Sequence, residues 1–139
     1  MTPLQFNMII KASELIKEHE QIERELIELD TIINSPLINY PNLNHVMKKI
    51  KFIWDNHEEK EEFFFMTLYK KGFTIPVKKI TFEHGKLKRD MNLITSAINS
   101  GSEFKTKEAL KKDGANLINQ IRKHIDDENW IFYALPKNL

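Results

Sequence analysis

Two His-x-x-x-Glu pairs, His57/Glu61 and His124/Glu128, stand beside two further histidines, His19 and His84, at positions where apolar residues recur. Side chains four residues apart share one face of a helix. Imidazoles and carboxylates turned into a core are costly unless they are paired or bound to metal. A lone histidine on such a face is ordinarily a satisfied core residue, and buried ion pairing is the alternative for the whole cluster. Four histidines on four segments, with two glutamates that have no packing role, ask instead for a cation at the centre. Within each pair the imidazole can bind one ion while the carboxylate reaches between two. Two such helices can therefore hold a pair of divalent or trivalent ions, with the other two histidines as terminal ligands. Imidazole with carboxylate suits iron, manganese or zinc. Glu58, next to His57, could reach one ion from the side of the stripe, or it is a solvent-facing member of the acidic run Glu58-Glu59-Lys60-Glu61-Glu62.

The segments that carry these residues read as helices. Met8, Ala12, Leu15, His19, Ile22, Leu26, Leu29 and Ile33 recur at spacings of three and four, as do Val46, Ile50, Ile53, His57, Glu61, Phe64 and Leu68. The same period runs through Val77, Ile80, His84, Leu87, Met91, Ile94 and Ile98, and through Leu110, Gly114, Leu117, Ile121, His124, Glu128, Ile131 and Leu135. Ser35-Pro36, Tyr40-Pro41-Asn42, Lys71-Gly72 and Ser100-Gly101-Ser102 break the pattern. The expected fold is all-α, an antiparallel up-down-up-down four-helix bundle, with one domain over 1–139 and helices at about 3–33, 43–70, 76–99 and 106–135. His19 lies 14 residues before Ile33 and His57 lies 14 after Leu43, so the two face each other. The second hairpin matches less closely: His84 to Asn99 is 15 residues and Thr106 to His124 is 18, a mismatch of about one turn. Trp54, Phe63, Phe64, Phe65 and Phe82 fall near the same level and read chiefly as core.

Composition narrows the chemistry. The chain has 139 residues, 41% hydrophobic and 29% charged, as a soluble globular protein has. Its formal net charge of +1 offers no bulk attraction to nucleic acid or to an anionic membrane. There is no cysteine, which excludes disulfides, thiolate metal sites and iron–sulfur clusters. No stretch approaches the ~18 apolar residues of a membrane span. The first residues have no secretory pattern, so the expected location is cytoplasmic.

The usual Glu-x-x-His signature of four-helix di-iron carboxylate proteins is absent, because Ile16, Trp54, Thr81 and Ile121 stand three residues before the core histidines. The chain instead resembles the hemerythrin-like, or HHE cation-binding, family. The segments ELIKEHEQIERELIEL around His19, IWDNHEEKEEFFF around His57, FEHGKLKR around His84 and IRKHIDDENWIF around His124 carry the resemblance, which covers nearly the whole chain. It implies a four-helix bundle holding non-haem di-iron. His19, His57, His84 and His124 would be terminal iron ligands, Glu61 and Glu128 the carboxylate bridges, and a solvent-derived oxo or hydroxo group the remaining bridge. Oxygen-carrying members have a fifth histidine one turn after the third-helix histidine, where this chain has Lys88. His45, three turns before His57, cannot easily fill that place, and Glu58 is the natural substitute. A similar glutamate occurs in the iron-sensing branch of the family. The expected function is interaction of di-iron with dioxygen or a related small oxidant, as an iron or oxygen sensor. The competing readings are a di-iron peroxidase or ferroxidase and a metal-stabilised interaction module. A homodimer or a redox partner is compatible with each.

Overall fold

Three of the helices are started by a side-chain cap written in the sequence. In the computed structural model, which describes residues 2–139, α1 spans Pro3–Ile33. The expected domain's first residue, Met1, lies outside the described residues. The Thr2 side chain accepts from the Gln5 backbone N–H while Gln5 reaches back to Thr2, a reciprocal cap with Pro3 in the first turn. Helix α2 spans Tyr40–Lys70 and starts three residues before the expected 43. Pro41 belongs to its first turn, where a missing N–H costs nothing, and Asn39 caps by accepting from Asn42 N–H. Helix α3 spans Val77–Asn99.

The fourth rod is built from three segments. Helix α4 (Glu103–Ala109) is capped by Ser102, a π-helical turn covers Leu110–Gly114, and α5 runs over Ala115–Asn138. Ala109, Leu110, Gly114 and Ala115 all keep right-handed helical dihedrals, so the rod is continuous. The π turn takes more residues per turn than an α-helix. It absorbs part of the extra length between Thr106 and His124. Pro136 lies inside α5 rather than ending it. Gly72 and Gly101 close α2 and α3 with φ of +96° and +71°, a region that a side chain disfavours.

The result is an all-α four-helix bundle, with no strand among the described residues. Cross-helix pairs run with opposing numbers, as antiparallel neighbours do. Glu18 meets Lys60 and Glu25 meets Lys49 between α1 and α2. Asp55 meets Lys88 between α2 and α3, and Glu23 meets Arg122 between α1 and α5. None of the described helices is long and apolar enough to cross a membrane.

The apolar interior comes in two blocks. One gathers Ile22, Leu26, Ile50, Trp54, Leu87, Met91, Ile121 and Ile125 with their neighbours. The other gathers Leu15, Phe64, Phe65, Leu68, Ile80 and Phe132. Along every rod the switch between blocks falls at the polar layer: His19 lies between Leu15 and Ile22, His57 and Glu61 between Trp54 and Phe64, His84 between Ile80 and Leu87, and Glu128 between Ile125 and Phe132. A polar layer therefore crosses the bundle between two greasy plugs. Of the aromatics expected at this level, Trp54, Phe64 and Phe65 are buried, whereas Phe63 and Phe82 point outward and are 73% and 68% exposed. Phe63 lies two residues beyond Glu61, on the far side of a helix whose inner face Glu61 already occupies.

Candidate metal centre

The layer holds six buried side chains, His19, His57, Glu61, His84, His124 and Glu128, none more than 3% exposed. Glu61 lies at its middle. Its Oε2 is 2.7 Å from His57 Nε2 and 3.1 Å from His19 Nε2, and its Oε1 is 2.9 Å from His84 Nε2. Glu128 repeats the arrangement. Its Oε1 is 3.3 Å from His19 Nε2, while its Oε2 is 3.0 Å from His124 Nε2 and 3.3 Å from His84 Nε2. Two donor groups result, His19/His57/Glu61/Glu128 and His84/His124/Glu61/Glu128, each with ligand atoms within 4.8 Å of one another. Both carboxylates give one oxygen to each group.

An outer ring holds the imidazoles from behind. His57 Nδ1–H donates to Glu18 Oε1 at 2.9 Å, His84 Nδ1–H to Glu62 Oε1 at 3.1 Å, His124 Nδ1–H to Glu83 Oε2 at 2.8 Å, and His19 Nδ1–H to Asn129 Oδ1 at 2.6 Å. Each acceptor is the chain neighbour of an inner residue: Glu18 of His19, Glu62 of Glu61, Glu83 of His84, Asn129 of Glu128. Each holds the histidine of the next rod, and the fourth returns to the first, so the ring closes. Protonating Nδ1 in this way fixes the tautomer and turns the Nε2 lone pair inward. The sequence reading did not find these four residues. Their adjacency to the inner six was visible, but which rod they would face was not.

The electrostatics show what the layer calls for. Burial by itself would lower the histidine values, yet contacts with Glu128 and Glu61 outweigh it, raising His84 to about 11 and His19 to about 9. His124 is raised against burial by Glu128, with Glu83 adding. Against burial, the adjacent Glu128 and three histidines hold the Glu61 carboxyl well below the usual range. Protons thus substitute for cations that two buried carboxylates demand. They do so incompletely. Glu61 Oε1, both Glu128 oxygens, His84 Nε2 and His124 Nε2 are buried without a hydrogen bond, close together but not aligned to share a proton. A buried group left this way costs about 1–3 kcal/mol. Nitrogen and carboxylate donors converging from four rods suit a cation, and the unmet atoms are the ones that would bind it.

Glu58 joins neither of these two groups but forms a third, half-buried one with Glu62 and His84. Its Oε1 is 4.0 Å from His84 Nδ1, on the outer side of that ring next to Glu62, and burial raises its carboxyl value. Lys88 points away from the layer and pairs with Asp55 at 3.6 Å. His45 is exposed in α2. Two surface cavities reach the edge of the layer. One of ≈ 360 Å³ passes Ile16, Tyr133 and Asn129 to His19, and one of ≈ 170 Å³ passes Leu87, Gln120 and Glu83 to His124.

The family model described as the hemerythrin HHE cation-binding domain matches residues 11–135, a span that includes all six inner residues and the four of the outer ring. No curated protein and no solved structure matches the chain.

Proposed function

We propose that this chain, which belongs to the hemerythrin HHE cation-binding domain family, holds two iron ions and uses them to sense iron or a small oxidant such as dioxygen. His19 and His57 would bind one ion, His84 and His124 the other, and Glu61 and Glu128 would bridge. The observation that carries this reading is the even division of both carboxylates between two imidazole pairs. A mononuclear site would leave half of those donors unmet. When bound, paired iron supplies electrons for a small oxidant.

The protein's own part is to bind, orient and keep dry. The outer ring fixes four Nε2 lone pairs on the layer. The plugs on either side, with Trp54 and Phe132 against the histidine rings, exclude bulk water. The cavities lined in part by His19 and His124 would give a small molecule its approach to the layer. Four imidazoles with two carboxylates, and Lys88 paired with Asp55 where oxygen carriers have a histidine, make a centre with one imidazole fewer than a carrier's. The absence of that histidine weighs against reversible oxygen carriage and favours a sensor.

The test is spectroscopic. Chain loaded with ferrous iron under anaerobic conditions and then exposed to oxygen should develop near-ultraviolet absorption that does not reverse when oxygen is withdrawn. Full reversal would contradict the sensor reading, and no change on exposure would contradict any reaction with oxygen.

A further inference from the structure

The outer ring is unequal. Behind the His84/His124 pair stand two carboxylates, Glu62 and Glu83, with Glu58 a further 4.0 Å neighbour of His84. Behind the His19/His57 pair stand one carboxylate, Glu18, and the neutral amide of Asn129. The counter-charges widen the gap. Lys60 sits 2.9 Å from Glu18 and offsets its negative charge, whereas Lys79 is 3.8 Å from Glu83. A carboxylate accepting Nδ1–H pushes electron density through the ring and makes Nε2 a stronger donor, while an amide does so less. The inner donors do not cancel this difference, since each half receives one oxygen from each glutamate.

We propose that Asn129 sets the two metal positions apart: the His84/His124 position binds first and more tightly, and the His19/His57 position is the exchangeable one. This rests on the paired-ion reading. Asn129 acts through His19 and is a positioning residue. The exchangeable position is also the one beside the larger cavity, which passes Asn129 itself. In a sensor, that is where gain and loss of an ion would be read.

Zinc(II) alone is a suitable probe, because it has no redox chemistry and leaves histidine resonances sharp. Metal-free full-length chain, labelled with ¹⁵N in its histidines, is titrated with zinc while calorimetry follows each step. With one equivalent added, the resonances of His84 and His124 should move and those of His19 and His57 should not. Asn129→Asp, of the same shape but charged, should tighten the weaker step about tenfold, and Glu83→Gln should weaken the tighter step by about 10–100-fold. First occupancy at His19/His57, equal occupancy, or Asn129→Asp acting on the tighter step would overturn the proposal while leaving the pair intact. Saturation below two zinc ions per chain would overturn the paired-ion reading and this inference with it.

Discussion

Trp54 stands edge-on to His84, with ring centroids 5.8 Å apart and planes at 88°. The same indole is 5.9 Å from His124 and 6.5 Å from His57, so one buried tryptophan touches three of the four histidines. The second tryptophan, Trp130, is 75% exposed. Binding of iron should therefore quench the blue-shifted, buried part of the emission and spare the red-shifted part. Trp54→Phe should abolish the quenching and Trp130→Phe should preserve it. Quenching that survives Trp54→Phe would place the metal elsewhere.

Glu61 touches both halves of the centre, and Glu58 touches only the outer face of His84. Glu61→Gln keeps the shape but removes the charge shared by both positions. It should weaken both ions by at least about tenfold. Glu58→Gln should retain two ions per chain, and a loss of one ion by metal analysis would put Glu58 among the ligands.

The pH dependence of the metal-free chain follows from the raised histidines. His19 and His84 move from an ordinary 6.5 to about 9 and about 11. Their stabilisation is complete below 6.5 and is lost as pH climbs through those folded values. The lowered Glu61 acts in the opposite sense: its contribution is present above an ordinary 4.5 and fades as pH falls through its folded value. The metal-free melting temperature should peak between these ordinary values and decline toward alkaline pH. Metal must displace the same protons. The rise in melting temperature on adding zinc should thus be larger at about pH 8 than at about pH 5. A rise that shrinks with pH would contradict the exchange of protons for metal.

Phe132 seals the layer from one side, stacked on Phe65 with centroids 5.2 Å apart and planes at 8°, and 5.8 Å from the His19 ring. Phe132→Ala should cost about 3–5 kcal/mol by chemical denaturation. Phe63→Ala, on the exposed face of α2, should stay within about 0.5 kcal/mol.

The period of the apolar residues made the rods and the six inner side chains legible in the sequence, since His19, His57, Glu61, His84, His124 and Glu128 sit on the same stripes as the core. What lay beyond that stripe was less legible. Glu18, Glu62, Glu83 and Asn129 flank inner residues, but their role depends on which neighbouring rod they meet, a matter of tertiary placement. Glu58 shows the converse: adjacency to His57 suggested an inward reach, yet the turn of the helix carries it behind His84. Pro41 read as a breaker although it starts α2, because a proline in the first turn and one before a helix look alike in a single sequence. The π turn at Leu110–Gly114 had no local signal beyond the length mismatch.

The central claim, a pair of ions divided by two carboxylates, is tested most directly by metal content. Chain reconstituted with ferrous iron without oxygen, freed of excess metal and analysed for iron and protein, should carry two irons, falling below one in Glu61→Gln. One iron or less in the unmodified chain, or two that persist in Glu61→Gln, would contradict it.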